Sequence, residues 1–380
     1  MIFDIAILGA GASAIMCARE LKKVCLIDKN SQIGEKIKIS GGGSCNFTNM
    51  NLKPDNYLGD RVFIKKIFDK FNNRDLIDFF KSKNLEFVNR KNSQLFCKNG
   101  SSDILNIFKR DIKNRKLYLN EEIIDVEFKK NLFEIKTDKK IIKSKYLVVA
   151  SGGLSYSKIG ATDIGYKIAK KFGHSVNRLN PALVGFTIQP KEAWFKLLSG
   201  VSLRASVRVG DKLFRDNILF THKGLSGPAI LNASLYWQKG EVEIDFLNGE
   251  KLEKYLQNPN KQLISSLPLS KNFIKIFLEQ IEIKDKKIAN LSSEELTKLK
   301  TLESYRFAPA GNFGYQRAEV TKGGIDTSEI SEHFESLKQK NLFFIGEVLD
   351  VTGELGGYNF QFSFSSGVIC GKYISLLLKT

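Results

Sequence analysis

Apolar positions along the chain fall into two regimes. Phe3–Leu8 is a continuous apolar run, followed at once by a Gly/Ala turn, an amphipathic stretch to about Leu21 and a second apolar run, Val24–Ile27, ending at Asp28. Uninterrupted apolar runs of that length read as strands buried on both faces, as in a parallel sheet. The pattern predicts strand, tight turn, helix, strand. Lys145–Val149 and Leu342–Ile345 read as further buried strands, and the chain closes with a helix through Leu378. A different regime holds in the middle. Val201, Leu203, Ala205, Val207 and Val209 alternate with Ser202, Arg204, Ser206 and Arg208, and Val242, Ile244 and Phe246 repeat the alternation. Period two predicts half-buried strands. From about Lys251 to Phe307 the period becomes helical, with Ser292 followed by Glu295 as a capping box. No apolar run approaches the roughly 20 residues of a membrane span, so no membrane association is expected.

The first turn carries chemistry. Gly9-x-Gly11-x-x-Ala14 follows a strand, opens a helix, and is followed by Asp28 nineteen residues after Gly9. That is the dinucleotide fingerprint in its required context. Gly9 permits the turn, Gly11 lets a pyrophosphate approach the backbone, and Ala14 allows close helix–strand packing. Ala12 and Ser13 lie at the helix start, where free N–H groups face the phosphates. Asp28, with Lys29 beside it, is placed to accept bonds from the adenosine ribose.

Two glycine clusters say which dinucleotide. After Asp28, the stretch "KNSQIGEKIKISGGGSCNFTN" is too polar for another packed unit and reads as an extended loop along a ligand. Gly41, Gly42 and Gly43 offer bare backbone, while Lys36, Ser40, Asn46 and Asn49 supply polar groups. Near the other end, "LFFIGEVLDVTGELGGYNFQ" places Gly346-Glu347, then Gly356 and Gly357, after a strand. Distant segments that build one site suit a long, two-ended cofactor.

These motifs, with "ASGGLSYSKIGATDIGY", "FTHKGLSGPAIL" and "VTKGGI", make the chain resemble the BaiN/YhiN-like family of FAD-dependent oxidoreductases, nearly end to end. The resemblance implies an α/β, glutathione-reductase-like FAD-binding Rossmann domain with an inserted β-barrel domain and a small helical subdomain. The segments expected are 1–186 and 319–380 for the FAD domain, 187–250 for the barrel, 251–307 for the helices and 308–318 for the return. It implies tightly bound, non-covalent FAD. Val126 would offer backbone bonds to adenine, and Ser151, Gly152 and Gly153 would make a second close backbone approach. Glu347 would bond the ribityl chain, Tyr358 and Asn359 would wall the flavin, and a helix starting near Gln361 would aim its N-terminus at the flavin. The family usually has Arg where Ser44 stands, so a cation is missing there.

Composition narrows the substrate. The net charge is +18, and residues 61–116 hold fifteen Lys/Arg against six Asp/Glu, whereas 311–380 hold six against eight. Such concentration points to a polyanion-binding face, with Lys65, Lys66 and Arg110 as its candidates. Five cysteines without a C-x-x-C pair argue against a disulfide framework and a metal site, and fit a cytoplasmic protein. No second fingerprint follows a strand, so NAD(P)H is left to dock transiently over the flavin, or electrons come from elsewhere. Candidate proton donors are Cys45, inside the glycine loop, and His222, in the inserted domain. Family members are associated with reducing a ribosomal RNA uridine to dihydrouridine, with oxidising a small amino ketone, or with reducing steroid enones. The basic stretch favours ribosomal RNA. A small-molecule amine oxidase or enone reductase is the alternative, and a flavin-stabilised ribosome-binding factor without turnover is the third reading.

Overall fold

A computed structural model describes residues 2–379. The chain divides into two compact units: residues up to Pro181 together with those from Val320 onward, and Ala182–Glu319.

In the first unit, strand Ile2–Leu8 lies parallel to Val24–Ile27 on one side and to Ile141–Val149 on the other. Lys116–Tyr118 adds a parallel strand beyond Val24–Ile27. The strand Ile141–Val149 is longer than its apolar core suggests and works in two halves. Its C-terminal half pairs in parallel with Leu342–Phe344, and its N-terminal half pairs antiparallel with Leu132–Thr137, which in turn pairs with Ile123–Lys129. Three strands therefore end side by side at Leu8, Val149 and Phe344. Each runs directly into a glycine-bearing turn, and those turns form the crevice at the carboxyl edge of the sheet, where open α/β sheets bind ligands.

The first helix spans Ala12–Ala18, shorter than the amphipathic stretch predicts. Beyond Ala18 the bonds tighten, Glu20 N–H donating to the Cys17 carbonyl and Leu21 N–H to that of Ala18. The C-terminal helix, Tyr358–Leu377, packs against the first one at van der Waals contact. A Cβ at Gly367 would stand 2.3 Å from the Ser13 carbonyl oxygen, and one at Gly371 2.6 Å from that of Cys17. Side-chain-free positions one turn apart let the two backbones touch.

Helices Arg61–Lys70, Asn73–Ser82 and Ser101–Asp111 bury Phe63, Ile64, Ile67, Leu76, Phe80, Ile104 and Phe108. Phe80 and Phe108 meet Phe364 of the C-terminal helix at 5.8 and 5.9 Å between ring centroids. With their apolar faces so anchored, these helices turn Lys65, Lys66, Lys81, Lys109 and Arg110 to solvent.

The second unit contains a seven-stranded antiparallel sheet. Ser202–Val209 forms a hairpin with Lys212–Thr221 and also pairs with Val242–Asp245, as the alternation predicts. Helices Lys271–Gln280 and Ser293–Leu299 follow. Ser292 and Glu295 form the expected reciprocal cap, Glu295 N–H donating to Ser292 Oγ at 3.2 Å and Ser292 N–H to Glu295 Oε2 at 2.9 Å. Trp194, Phe195, Phe220, Phe246, Phe273, Phe277 and Phe307 fill the core of this unit.

Candidate active site

The crevice begins at the first turn. Gly9 has φ +109°, and a Cβ there would lie 2.5 Å from the Ala150 carbonyl oxygen, so the protein's own packing demands glycine. Gly11 is different. Its φ is ordinary at −83°, and a Cβ there would meet nothing within 4 Å. No protein atom lies within 4 Å of a Cβ at Gly11, and that space is open to a ligand.

Asp28 stands beside this turn. Its Oδ2 accepts the Ala10 N–H at 2.7 Å and its Oδ1 the Asn30 N–H at 2.8 Å. Burial pushes its pKa up, and the backbone donors of Asn30 and Ala10 oppose that. Asp28 lines a cleft with Gly9, Ile27, Lys29, Ile123 and Ser151, about 370 Å³ of empty space open to solvent. Ser151 Oγ is buried there with no hydrogen-bond partner. It faces Gly165, where a Cβ would lie 2.1 Å from it, and an unmatched buried polar atom costs about 1–3 kcal/mol. Val126 does not line this cleft: its side chain is fully buried and its strand register pairs it with Ile135. Glu122 and Ile123, a few residues earlier, do line it.

The other two turns meet at Glu347. Its Oε2 accepts Lys36 Nζ at 2.7 Å, and its Oε1 accepts the Thr321 N–H at 3.0 Å. A Cβ at Gly153 would fall 2.6 Å from Thr321 Oγ1 and 3.0 Å from Glu347 Oε1, while one at Gly152 would have only Glu347, at 3.9 Å, for company. Gly346 abuts Ser13, its Cβ position 2.6 Å from Ser13 Oγ. Thr321 escaped notice in the sequence. Its Oγ1 accepts the N–H groups of Leu154 and Ser155, so it clamps the second glycine turn. The signal was present in the short motif "VTKGGI", which gave no role to its threonine.

The glycine run departs from the extended loop expected. Glu35–Ile39 is a short helix, and Ser40–Gly43 is a tight turn in which Gly41 (φ 57°, ψ 35°) and Gly42 (φ 63°, ψ 32°) are left-handed. Consecutive left-handed residues are tolerated only by glycine at little cost. The turn leads into strand Asn46–Asn49, paired with Gln94–Cys97. A Cβ at Gly42 or Gly43 would meet nothing within 4 Å, so this turn too presents bare backbone to open space.

Several polar residues expected to serve a ligand are occupied within the chain. Asn49 Nδ2 donates to the carbonyls of Asn92 and Gly356, both at 3.1 Å. Gln361 is fully buried; its Oε1 accepts Thr48 Oγ1 at 2.5 Å and its Nε2 donates to Ser365 Oγ at 3.0 Å. Asn359 exchanges two 2.8 Å bonds with the backbone of Gly353, and Asn46 is bonded to Gln94. These amides brace the glycine turns against one another. Burial, with the Glu354 carboxylate, pushes the Tyr358 phenol up to about 12, and the C-terminal helix starts at Tyr358 rather than near Gln361.

Cys45 is fully buried behind the turn at φ 50°. His222 sits at the exposed tip of a hairpin in the second unit, where Thr221 Oγ1 donates to the Gly224 carbonyl. Lys65, Lys66 and Arg110 lie on exposed helix faces of the first unit, Lys65 paired with Asp69 at 2.7 Å. Among the described residues, no cluster of His, Cys, Asp and Glu is arranged to hold a metal ion, and no helix is long and apolar enough to cross a membrane.

Parallel strands ending in three glycine turns, with an acid after the second strand and an antiparallel meander on the third, define an FAD-dependent oxidoreductase of the glutathione-reductase-like Rossmann class. The chain belongs to the family described as the HI0933-like protein Rossmann domain, which matches residues 3–373. It is 38% identical to the ribosomal RNA dihydrouridine synthase of Haemophilus influenzae, over 97% of this chain and 98% of that one. A 3-dehydro-bile acid delta(4,6)-reductase from Clostridium scindens is 25% identical over 97% of this chain and 98% of its own. In fold it is similar to the quinol fumarate reductase subunit of Escherichia coli, with TM-score 0.52, 13% identity, all of this chain covered and 71% of that one.

Proposed function

We propose that the crevice holds FAD tightly and without a covalent bond, and that the protein reduces a uridine of ribosomal RNA to dihydrouridine. The observation that carries the cofactor assignment is the empty space at Gly11, where a Cβ at the start of the first helix would meet no protein atom within 4 Å. Asp28, Lys29, Ile123 and Ser151 would take the adenosine end, the N–H groups of Ala12 and Ser13 the pyrophosphate, and Glu347 with Gly153 the ribityl chain. The turns at Gly41–Gly43 and Gly356–Gly357 would face the ring system. FAD held by these residues would supply the hydride for a C=C bond, and a transiently docked NAD(P)H or another donor would supply the electrons.

What the chain adds is binding and a proton. Fifteen cations in residues 61–116, several on exposed helix faces, suit RNA phosphates. For the proton, Cys45 is a poor source, because it is fully buried and its thiol is hydrogen-bonded to Cys97 and Ser40. His222, exposed in the second unit, is the better candidate. The name of the relatives at 36–38% identity supports the RNA reading. An enone reductase is the second reading, favoured by the 25% identical bile-acid enzyme. Purified protein incubated with NAD(P)H and an unmodified ribosomal RNA fragment should generate dihydrouridine, detected by nucleoside mass spectrometry. Turnover of a steroid enone with none of the RNA would select the second reading.

A further inference from the structure

Cys45 and Cys97 hold a chemistry that the flavin site leaves unused. The strand register Asn46↔Phe96 continues outward to bring residues 45 and 97 opposite each other, and Cys97 N–H donates to the Cys45 carbonyl at 3.2 Å. The two thiols are near enough to shift one another's titration, Cys45 downward and Cys97 upward. Cys45, left-handed at φ 50°, stands just outside strand Asn46–Asn49, and the bond from the Cys97 N–H to its carbonyl keeps the two backbones adjacent, as a disulfide with its Cα span of roughly 4.4–6.8 Å requires. Both side chains are buried, but Cys45 directly follows the turn whose Gly42 and Gly43 face open space.

We propose that Cys45 and Cys97 form a peroxide-sensitive thiol–disulfide switch that tethers the end of the glycine turn to strand Gln94–Cys97. The surroundings divide the labour. Hydrogen bonds from Cys97 and Ser40 favour the Cys45 thiolate against its burial, while the bond to Cys45 and its own burial hold Cys97 protonated. Cys45 is therefore the attacking sulfur. Its thiolate forms an S–O bond as the peroxide O–O bond breaks; the departing hydroxide takes up a proton to become water, and sulfur is oxidised to a sulfenic acid. Cys97 sulfur then attacks that sulfur, forming S–S as S–O breaks, and its thiol proton leaves with the hydroxide as the second water. Two thiols and one hydrogen peroxide yield one disulfide and two waters, and a dithiol reductant reverses the step.

Bound flavin would cover the Gly41–Gly43 turn, so the route to Cys45 opens in the cofactor-free protein, through the turn that the Cys45 N–H bond to the Ser40 carbonyl closes at 3.0 Å. A second thiol pair gives an internal contrast. Cys370 is hydrogen-bonded to Cys17 where the first and last helices touch through Gly371. No open turn adjoins it, and it stays reduced.

The protein freed of flavin, treated with hydrogen peroxide and then alkylated, should lose two of its five thiols, and the flavin-bound protein fewer at the same dose. Its mass should fall by about 2 Da, with one peptide pair joining residues 45 and 97. A dithiol should restore both thiols. Amide hydrogen exchange over residues 40–46 should slow in the oxidised form and recover on reduction. In Cys97→Ser, dimedone should trap a sulfenic acid at Cys45; in Cys45→Ser, none should form at Cys97 at the same dose. If the variants do not fold, the wild-type peptide map decides alone. An unchanged thiol count, a Cys17–Cys370 bridge appearing first, or unchanged exchange over 40–46 would overturn the proposal.

Discussion

Substituting the two glycines of the first turn separates folding from cofactor binding. Gly9→Ala forces an L residue to φ +109° and places its Cβ 2.5 Å from the Ala150 carbonyl oxygen. Backbone strain costs about 1–3 kcal/mol, and forcing an atom into a packed site about as much again, so the fold should lose ~2–5 kcal/mol. At Gly11 the backbone is already in a region any residue adopts, and a Cβ meets no protein atom within 4 Å. Gly11→Val should therefore change the stability of the cofactor-free protein by no more than about 0.5 kcal/mol, as for an unconstrained surface site. The same valine fills the space assigned to the pyrophosphate. Affinity should drop at least 100-fold, or about 2.7 kcal/mol. Urea titration of both cofactor-free proteins gives the first quantity, and titration with FAD gives the second. Acid precipitation of wild type should release flavin that runs as FAD, and Gly11→Val should release almost none. Equal destabilisation by the two substitutions, or a fully yellow Gly11→Val protein, would refute the reasoning.

Other outcomes follow from particular contacts. Gly42→Val should lose about 1–2 kcal/mol of stability because its residue is left-handed, while Gly42→Asn should fold nearly as wild type; both should bind FAD more weakly, by fluorescence titration. His174 is buried between Glu329 at 3.2 Å and Ser336 at 2.6 Å, and burial pushes its pKa below the usual imidazole value of 6.5. Its folded form prefers to be neutral, so its contribution is present above pH 6.5 and lost as pH falls below it. Thermal melts should show that slope, and His174→Gln should remove it. Glu329 acts in a separate window: Lys338 and Ser175 outweigh its burial and hold it near about 2, so its contribution fades only from pH 4.5 down toward 2. Reversing the charges of Lys65, Lys66 and Arg110 together should weaken binding of a ribosomal RNA fragment. It should also flatten the dependence of log K on log salt, by up to about 0.7 per lost phosphate contact on single strands, with flavin content unchanged. An unchanged salt slope in the triple variant would remove these residues from the RNA face.

The parts of the fold written in local pattern were legible. Phe3–Leu8, the Gly9–Ala14 turn and Val24–Ile27 follow from apolar runs and glycine spacing, and the Ser292–Glu295 cap from two residues three apart. What stayed hidden depends on partners distant in sequence. Three consecutive glycines look alike on paper, yet a Cβ at Gly41 would stand 3.1 Å from the Phe96 ring while one at Gly42 or Gly43 would meet nothing within 4 Å. Asn49 reads as a polar group for a ligand and Gln361 as the start of a helix; their partners, Gly356 and Thr48, lie 307 and 313 residues away. The surroundings of Val126 depend on its pairing with Ile135 of Leu132–Thr137, a register that no local pattern around Val126 announces. Cys45 and Cys97 show no spacing motif, since only the pairing of Asn46–Asn49 with Gln94–Cys97 brings them together.

The most direct test of the account is nucleoside mass spectrometry of ribosomal RNA from cells lacking this chain, complemented with wild type or with Gly11→Val. Dihydrouridine should disappear in the deletion, return with wild type and stay absent with the cofactor-deficient variant. Dihydrouridine unchanged by the deletion, or restored equally by Gly11→Val, would contradict it.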